Sequence, residues 1–310
     1  MTIQPALKRR RSIAHYLKEN WIFYLFILPA FLDILIFWYF PLYGIQISFR
    51  DYKIRRGMTG SEWVGMKWFV NFIQGPYFSR VMVNTLLISL YQLVFGFPAP
   101  ILLALLLNEL GNERFKRVVQ SIVYLPHFIS LVVICGMIRT FVARNGIITE
   151  MLTLFGFPRT NLLGDPRYFR TVFVASGVWQ TIGWNSIVYL SALTAVSPDL
   201  YESATIDGAN RLQKTLYITL PSITPTIVTM FILRLGQIMS VGSEKILLLY
   251  NPNTYEVADV ISTYVYRVGL SESFQPSYST AVGLFSSVIN FALILIANSI
   301  SKKATESSLW

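Results

Sequence analysis

Residues 21–49 read WIFYLFILPAFLDILIFWYFPLYGIQISF, an apolar run in which Asp33 is the only charged residue. An α-helix rises about 1.5 Å per residue, so about 20 apolar residues cross the roughly 30 Å hydrocarbon core of a bilayer. A basic cluster at Lys8 to Arg11 precedes the run, as in a secretory signal. The apolar stretch is about twice as long as a signal usually has, and no clear small-residue cleavage site follows. We therefore expect an uncleaved membrane anchor.

The composition of the whole chain agrees with this first run. Of its 310 residues 54% are hydrophobic and only 14% are charged, and the mean hydropathy is +0.51. Soluble domains carry about 25% charged residues. Because one core cannot hide so much apolar surface, the excess must face lipid. This excludes a disordered chain, a secreted disulfide scaffold and an ordinary cytosolic enzyme.

The charged residues, the cysteine and the histidines exclude several further kinds of function. The chain has 26 Lys and Arg against 16 Asp and Glu, a net charge of +10. Most of these charges flank apolar runs, where snorkelling and topology account for them, so we expect no nucleic-acid partner. Cys135 is the only cysteine, and His15 and His127 are the only histidines. An internal disulfide and a Cys or His metal site are therefore not expected.

Six apolar runs are long enough to cross a membrane, and none alternates strictly as a barrel strand would. They are Trp21 to Phe49, Val81 to Leu107, Val118 to Phe141, Thr171 to Val196, Ile223 to Val241 and Ser279 to Ile300. The sequence therefore predicts an all-α fold, a polytopic transmembrane bundle over residues 21–310. Kinks are expected at Pro29, Pro41, Pro98 and Pro100.

The distribution of basic residues indicates the topology. The cluster at Lys8 to Arg11 places the tail of residues 1–20 in the cytoplasm, and six spans then return Lys302 and Lys303 to the same side. Both termini are thus predicted to be cytoplasmic. The segments 108–117 and 197–221 also lie inside, whereas 50–80, 142–170 and 242–275 lie outside.

The cytoplasmic segment between the fourth and fifth spans has strong helix signals. Residues 197–209 read SPDLYESATIDGA. Ser197 suits an N-cap, Pro198 suits the first helical position, and Gly208 can leave the helical region. A helix, a turn and a second helix are the simplest interpretation. The alternative is a well-capped, solvated loop without a partner.

The same segment contains a near match to a phosphate-binding loop. Residues 208–215 read GANRLQKT, with Gln213 where the second glycine of a P-loop should be. That glycine lets the backbone wrap a phosphate, and no buried strand precedes the segment. We therefore expect that this chain does not hydrolyse ATP.

The full pattern of the loop resembles the EAA motif of bacterial ABC importer permeases. Glu202, Ala204, Gly208, Ile218 and Pro221 stand at the spacing of that motif. Ser203 departs from the usual alanine, but it is also small. In that family the loop forms a coupling helix that docks on an ATPase subunit. The resemblance implies that the docking surface contains Glu202, Ser203, Ala204, Asp207, Gly208, Ala209 and Arg211.

Other short motifs extend the resemblance over most of the chain. They are Leu28-Pro29, Phe40-Pro41, Tyr124-Leu125-Pro126, Trp179 to Asn185, Gly65 and Asn71-Phe72. The carbohydrate branch is the most similar, in particular permeases for polysaccharide fragments such as alginate. The resemblance implies a type I importer fold in the bacterial inner membrane. It also implies a homologous second permease, two ATPase subunits that use ATP and Mg, and an extracytoplasmic solute-binding protein. No cofactor bound by this chain is expected.

Polar and aromatic side chains inside the spans are candidates for a substrate path. Aromatic faces beside amides suit the CH faces and hydroxyls of sugars. The fourth run supplies Trp179, Gln180, Trp184, Asn185 and Tyr189, and the fifth supplies Arg234 and Gln237. Interfacial anchoring is the alternative for Trp179, and an ion pair with Asp33 is the alternative for Arg234. Asn84, Tyr91 and Gln92 of the second run are weaker candidates, with helix–helix hydrogen bonding as their default role.

Two other functions compete with the importer hypothesis. A secondary transporter or channel would need an ion relay of intramembrane carboxylates, and only Asp33 lies clearly within a span. A membrane enzyme would need a nucleophile, base or metal cluster, and the sequence offers no such group. The basic excess of segment 50–80 would suit an anionic substrate or an acidic partner, although a solvated face would look the same.

Overall fold

The computed structural model describes residues 19–271 and 273–305, so the basic cluster of the predicted tail lies outside the described residues. The described chain is helical apart from one small hairpin. The α-helices are α1 (Trp21–Asp33), α2 (Gly57–Gly60), α3 (Lys67–Ile73), α4 (Phe78–Tyr91), α5 (Pro98–Asn108), α6 (Glu113–Tyr124), α7 (Leu131–Phe141), α8 (Ile147–Thr153), α9 (Pro166–Thr194), α10 (Pro198–Ile206), α11 (Arg211–Lys214), α12 (Leu220–Leu235), α13 (Ser243–Leu249), α14 (Tyr255–Ala258), α15 (Ile261–Tyr266) and α16 (Pro276–Thr305).

Shorter segments of other pitch connect or extend these helices. The π segments are Ile34–Tyr39, Gln92–Gly96, Thr215–Thr219 and Arg267–Ser271, and the 3-10 segments are Phe40–Phe49, Ile54–Arg56, Leu125–Phe128 and Pro252–Thr254. The hairpin pairs β1 (Arg50–Asp51) with β2 (Glu62–Trp63) in antiparallel register, with Arg50 opposite Trp63. The guanidinium of Arg50 also lies over the Trp63 ring, 5.4 Å from its centroid.

Four helical stretches of the described chain are long and apolar enough to cross a membrane, and a bent pair brings the number to five. The four are Trp21–Phe49, Phe78–Asn108, Arg211–Leu235 and Pro276–Lys303. The predicted fourth span, Thr171 to Val196, lies in α9 except for its last two residues. The 29 residues of α9 are long enough to span but carry many polar side chains. Six spans are therefore not established by length and composition alone.

The predicted third span, Val118 to Phe141, is wrong as one helix. The stretch Glu113–Phe128 meets α7 at an angle of 101°. Pro126 lies in the 3-10 segment before the bend, and Ile129 and Ser130 then take extended ψ angles of 136° and 137°. Proline lacks the N–H that a continuing helix needs, and two extended residues redirect the chain.

The predicted fifth span is displaced along the chain. The helix begins at Arg211, inside the predicted cytoplasmic loop, and ends at Leu235 instead of Val241. Pro221 therefore lies within a continuous helical stretch and does not close the loop. Gly236 follows the last helical residue and packs closely on α16, because a Cβ there would overlap the side chain of Ile294.

Prolines explain most of the π segments. A proline removes the N–H that the carbonyl four residues earlier would accept from. Pro41, Pro98 and Pro221 each follow a π segment that contains that carbonyl. The wider turn of a π segment accommodates the lost bond, and such turns often lie at functional sites. The distortions expected at Pro41 and Pro98 are thus present, whereas Pro29 lies inside regular helix.

Helix α9 is at the centre of the packing. Phe169 and Phe173 in its first half are fully buried in a cluster with Ile134 of α7 and Ile246 of α13. Near its middle, Gly183 permits a close crossing, since a Cβ there would overlap the carbonyl of Val123 in α6. Its last turns pack against α5 and α12. By contrast, α1 has no buried residue, as expected for a helix that contacts lipid or another subunit.

Candidate functional site

A cavity of about 610 Å³ lies between α9 and α12. The π segment after α4, the start of α5 and the short helix α13 complete its walls. Its size is in the range of small-molecule sites, about 300 to 1,000 Å³. The cavity is therefore the main candidate for a substrate site.

One face of α9 supplies the polar wall of this cavity. Gln180, Asn185 and Tyr189 border it, as predicted, whereas Trp179 and Trp184 do not. The reason is helical geometry: each step along a helix rotates a side chain by about 100°, so a neighbour in sequence points elsewhere. The structure thus brings the two amides and the tyrosine together at the cavity and places the two tryptophans outside its lining.

The two tryptophans have other surroundings. Trp184 stacks on His127 with ring centroids 4.4 Å apart and an interplanar angle of 5°. Phe128 meets the same indole edge-on at 5.6 Å. Trp184 therefore holds the bend between α6 and α7 against α9. Trp179 remains about half exposed, in agreement with an interfacial position.

Arg234 and Gln237 both border the cavity, as predicted. Arg234 donates from Nη2 to Oε1 of Gln92 at 3.0 Å, so its partner is this amide and not Asp33. It lies in the last turn of α12 rather than at mid-span, because the helix ends one residue later. A cation is favourable there, beside the unpaired carbonyls of a helix C-terminus.

A residue that sequence reasoning missed completes the wall. Lys245 of α13 is only 7% exposed but borders the cavity. Its Nζ donates to the carbonyl oxygen of Phe173 at 3.4 Å and lies 5.2 Å from the centroid of that ring. Helix α13 belongs to the segment after α12, outside the spanning helices, and burial lowers the pKa of Lys245 to about 8. No local pattern around Lys245 signals this position.

The predicted loop of residues 197–221 starts with the expected helix and turn. Ser197 caps α10 by accepting from the N–H of Asp199 at 3.3 Å. Gly208 follows with φ of +78°, the left-handed region that favours glycine. Asn210 then caps α11 in a capping box with Gln213. The segment before GANRLQKT is thus helix α10 and not the buried strand of a phosphate-binding loop.

Most of the predicted docking residues are accessible in the described chain. Glu202, Ser203, Asp207, Gly208 and Arg211 are exposed, and Ala204 and Ala209 are half-buried. Two apolar side chains share this surface but were not predicted: Ile206 is 87% exposed and Leu212 is 67% exposed. Exposed aliphatic groups beside charged ones are typical of a protein interface.

Two side-chain hydrogen bonds fasten α10 to the next helical stretch. The hydroxyls of Tyr201 and Thr219 are 3.0 Å apart, and Thr219 is buried. Lys214 donates from Nζ to the hydroxyl of Thr205 at 2.7 Å. The loop is thus held as a compact unit against the base of α12.

Comparison with known proteins decides the family. Residues 96–306, which include the cavity helices and the loop, match the model of the binding-protein-dependent transport system inner membrane component. The chain belongs to this family. The predicted resemblance to ABC importer permeases is confirmed, and the secondary-transporter alternative has no support.

Several members of the family are similar over almost their whole length. The polygalacturonan/rhamnogalacturonan transport system permease protein YteP of Bacillus subtilis is 40% identical over 98% of this chain and 94% of its own. Protein LplB of the same organism is 39% identical over 94% of this chain and 92% of its own. The arabinooligosaccharides transport system permease protein AraP, also of B. subtilis, is 28% identical over 92% of this chain and 88% of its own.

Solved structures show the same fold. A chain of a bacterial ABC transporter involved in import of the acidic polysaccharide alginate has a TM-score of 0.86 and 42% identity, covering 94% of this chain and 99% of that one. A second structure is of a bacterial alginate transporter in complex with an alginate pentasaccharide-bound periplasmic protein. It has a TM-score of 0.87 and 42% identity, covering 96% of this chain and 99% of that one. This permease therefore has the type I importer fold.

Proposed function

We propose that this permease forms half of the translocation pathway of an importer for oligosaccharides or polysaccharide fragments. The observation that carries the proposal is the cavity, in which the amides of Gln180 and Asn185 in α9 and of Gln237, two residues after α12, lie beside apolar side chains of α5 and α9. Sugars need both kinds of surface, since they present hydroxyl edges and apolar CH faces. The named substrates of the similar proteins are also sugar polymers.

The membrane topology that we propose has six spans, with both termini in the cytoplasm. The 29 residues of α9 rise about 43 Å at 1.5 Å per residue, which is enough to cross the hydrocarbon core. Its lower hydropathy follows from the polar face that it turns to the cavity. A face of this kind is shielded from lipid, so it does not prevent membrane insertion.

The coupling loop connects directly to two walls of the cavity. Helix α9 ends three residues before Ser197, and α11 continues through a π segment into α12. A rigid-body displacement of α10 is therefore transmitted to both helices. We expect separate ATPase subunits, which use ATP and Mg, to dock on α10 and to drive alternating access in this way.

We expect further partners because one chain encloses the cavity only in part. Arg234 and Gln237 are exposed in the isolated chain although they line the cavity, so a second, homologous permease would close the pathway. A solute-binding protein would deliver the saccharide to the outer segments. The complete importer would lie in the bacterial inner membrane.

The experiment is ATP-dependent uptake by the complete importer in proteoliposomes, with substitutions in the loop. Glu202→Lys reverses a charge on the exposed surface, and Gly208→Val places a β-branched residue at positive φ. Both should abolish uptake and substrate-stimulated ATP hydrolysis while the chain still inserts. Glu109→Lys, an exposed glutamate in the other predicted cytoplasmic loop, is the matched control and should behave as wild type. Normal uptake in both loop variants would refute the coupling assignment.

A further inference from the structure

The cavity wall contains a buried cation that no carboxylate among residues 19–271 and 273–305 contacts directly. Lys245 projects from α13 toward α9, where Gly177 leaves room for it: a Cβ at Gly177 would lie 3.4 Å from Nζ. The contacts of the ammonium are a carbonyl oxygen and the face of the Phe173 ring. None of the ion pairs in the described part of the chain includes Lys245.

The charged side chains on the cavity wall are all positive. Arg234 and Lys245 both border it, and none of the described residues on its wall is acidic. Glu244, the next residue to Lys245 along the chain, is exposed and is not part of the wall. Arg234 is already held by the amide of Gln92, which accepts a hydrogen bond but brings no charge. Two positive charges therefore face the cavity.

A buried ammonium without a carboxylate is costly for the protein to keep. The lowered pKa of Lys245 expresses this cost, because burial disfavours the charged form. Packing alone would be satisfied by an apolar side chain of the same length. A carboxylate that enters the cavity would offset the desolvation of the ammonium, because the two form a charge-assisted hydrogen bond.

We propose that Lys245 is a specificity-determining residue, which binds a carboxylate of the transported saccharide and so selects acidic over neutral sugars. The substrate class is then oligosaccharides that contain uronic acid units. Arg234 provides a second positive charge on the same cavity, so that a chain with several carboxylates is favoured over one with a single acid. This inference rests on the proposed function, because it assumes that the saccharide passes through this cavity.

The test compares trigalacturonate with its fully methyl-esterified form, in which each carboxylate is a neutral methyl ester on the same sugar chain. Each is measured by ATP-dependent uptake with the complete importer and by saturation-transfer NMR with the importer in nanodiscs, where no solute-binding protein is present. Lys245→Met keeps the length of the side chain and removes its charge. Lys302→Met is the matched control, since Lys302 is exposed near the end of α16 and away from the cavity.

We expect Lys245→Met to lower uptake and binding of trigalacturonate at least ten-fold and to change those of the ester less than two-fold. Lys302→Met should leave both unchanged. An equal loss for both saccharides, or no loss for the acid, would overturn the role of Lys245. Equal use of acid and ester by the wild type would overturn the substrate class. If the wild type takes up neither saccharide but imports a neutral arabinotriose with ATP, the role of Lys245 and the acidic substrate class are overturned while the proposed function stands. If it imports none of the three with ATP, the proposed function fails as well.

Discussion

Removing the charge of Lys245 should stabilise the protein even though it impairs substrate selection. Burial lowers the pKa of this lysine from 10.5 to about 8. At about 1.4 kcal/mol per pKa unit, the protonated form costs about 3 kcal/mol of folding free energy at neutral pH. The variant Lys245→Met loses the interaction with the Phe173 ring, worth about 0.5 to 2 kcal/mol, so the net gain is about 1 to 3 kcal/mol.

The pH dependence of this gain has a definite sign. A lysine titrates near pH 10.5 in the unfolded chain and near pH 8 in the folded one, so the unfolded chain binds more protons between these values. Wild-type stability therefore rises with pH across that window. The methionine variant lacks this contribution. Its advantage is full below pH 8, shrinks as pH rises, and is lost above about pH 10.5.

The assay is the apparent melting temperature of the complete importer in nanodiscs, followed by intrinsic fluorescence at pH 7 and at pH 10. We expect Lys245→Met to melt a few degrees above wild type at pH 7 and close to it at pH 10. Lys302→Met, the exposed control, should match wild type at both values. A variant that melts below wild type at pH 7, or by the same margin above it at both pH values, would refute the reasoning. A gain in stability with a loss of function is common at binding sites.

Three further substitutions test the packing around the site. Gly183→Val should prevent the close crossing of α9 and α6, because its side chain would overlap the carbonyl of Val123. We expect the folded protein to be lost in size-exclusion chromatography, and an intact monodisperse peak would contradict this. Asp259→Ala removes the fully buried carboxylate that accepts a hydrogen bond from Arg267 at 2.7 Å. Because the Arg267 charge then loses this partner, the free energy of unfolding should fall by about 3 to 5 kcal/mol. The measurement is a clear fall in melting temperature. Tyr201→Phe deletes the hydroxyl that contacts Thr219. It should raise the ATP hydrolysed per saccharide imported and change the free energy of unfolding by no more than about 1 kcal/mol. An unchanged ratio would show that this contact does not transmit motion.

Local signals in the sequence were sufficient where structure depends on neighbours along the chain. The run of residues 21–49, the caps at Ser197 and Pro198, and the positive φ of Gly208 all follow from residue types at short spacing. The EAA spacing then identified the family. The sequence also predicts that Trp179 and Gln180 lie on different faces of α9, because successive side chains of a helix are rotated by about 100°.

The remaining features depend on contacts between distant segments. The 101° bend after Pro126 is held by the stacking of His127 on Trp184, which are far apart in sequence. Lys245 reaches the cavity only because α13 folds back against α9. The sequence around Lys245 predicts nothing about its burial, since contact with α9 is not visible in a local pattern.

The most direct test of the central claim is co-purification from native membranes in mild detergent, with subunit masses and ATP hydrolysis measured for wild type and for Glu202→Lys. The wild-type chain should purify with a second permease and two ATPase copies and hydrolyse ATP. The variant should lose the ATPase subunits or their stimulation by substrate. If the wild-type chain instead purifies without an ATPase and supports gradient-driven flux after reconstitution, the account of an ATP-driven importer permease is contradicted.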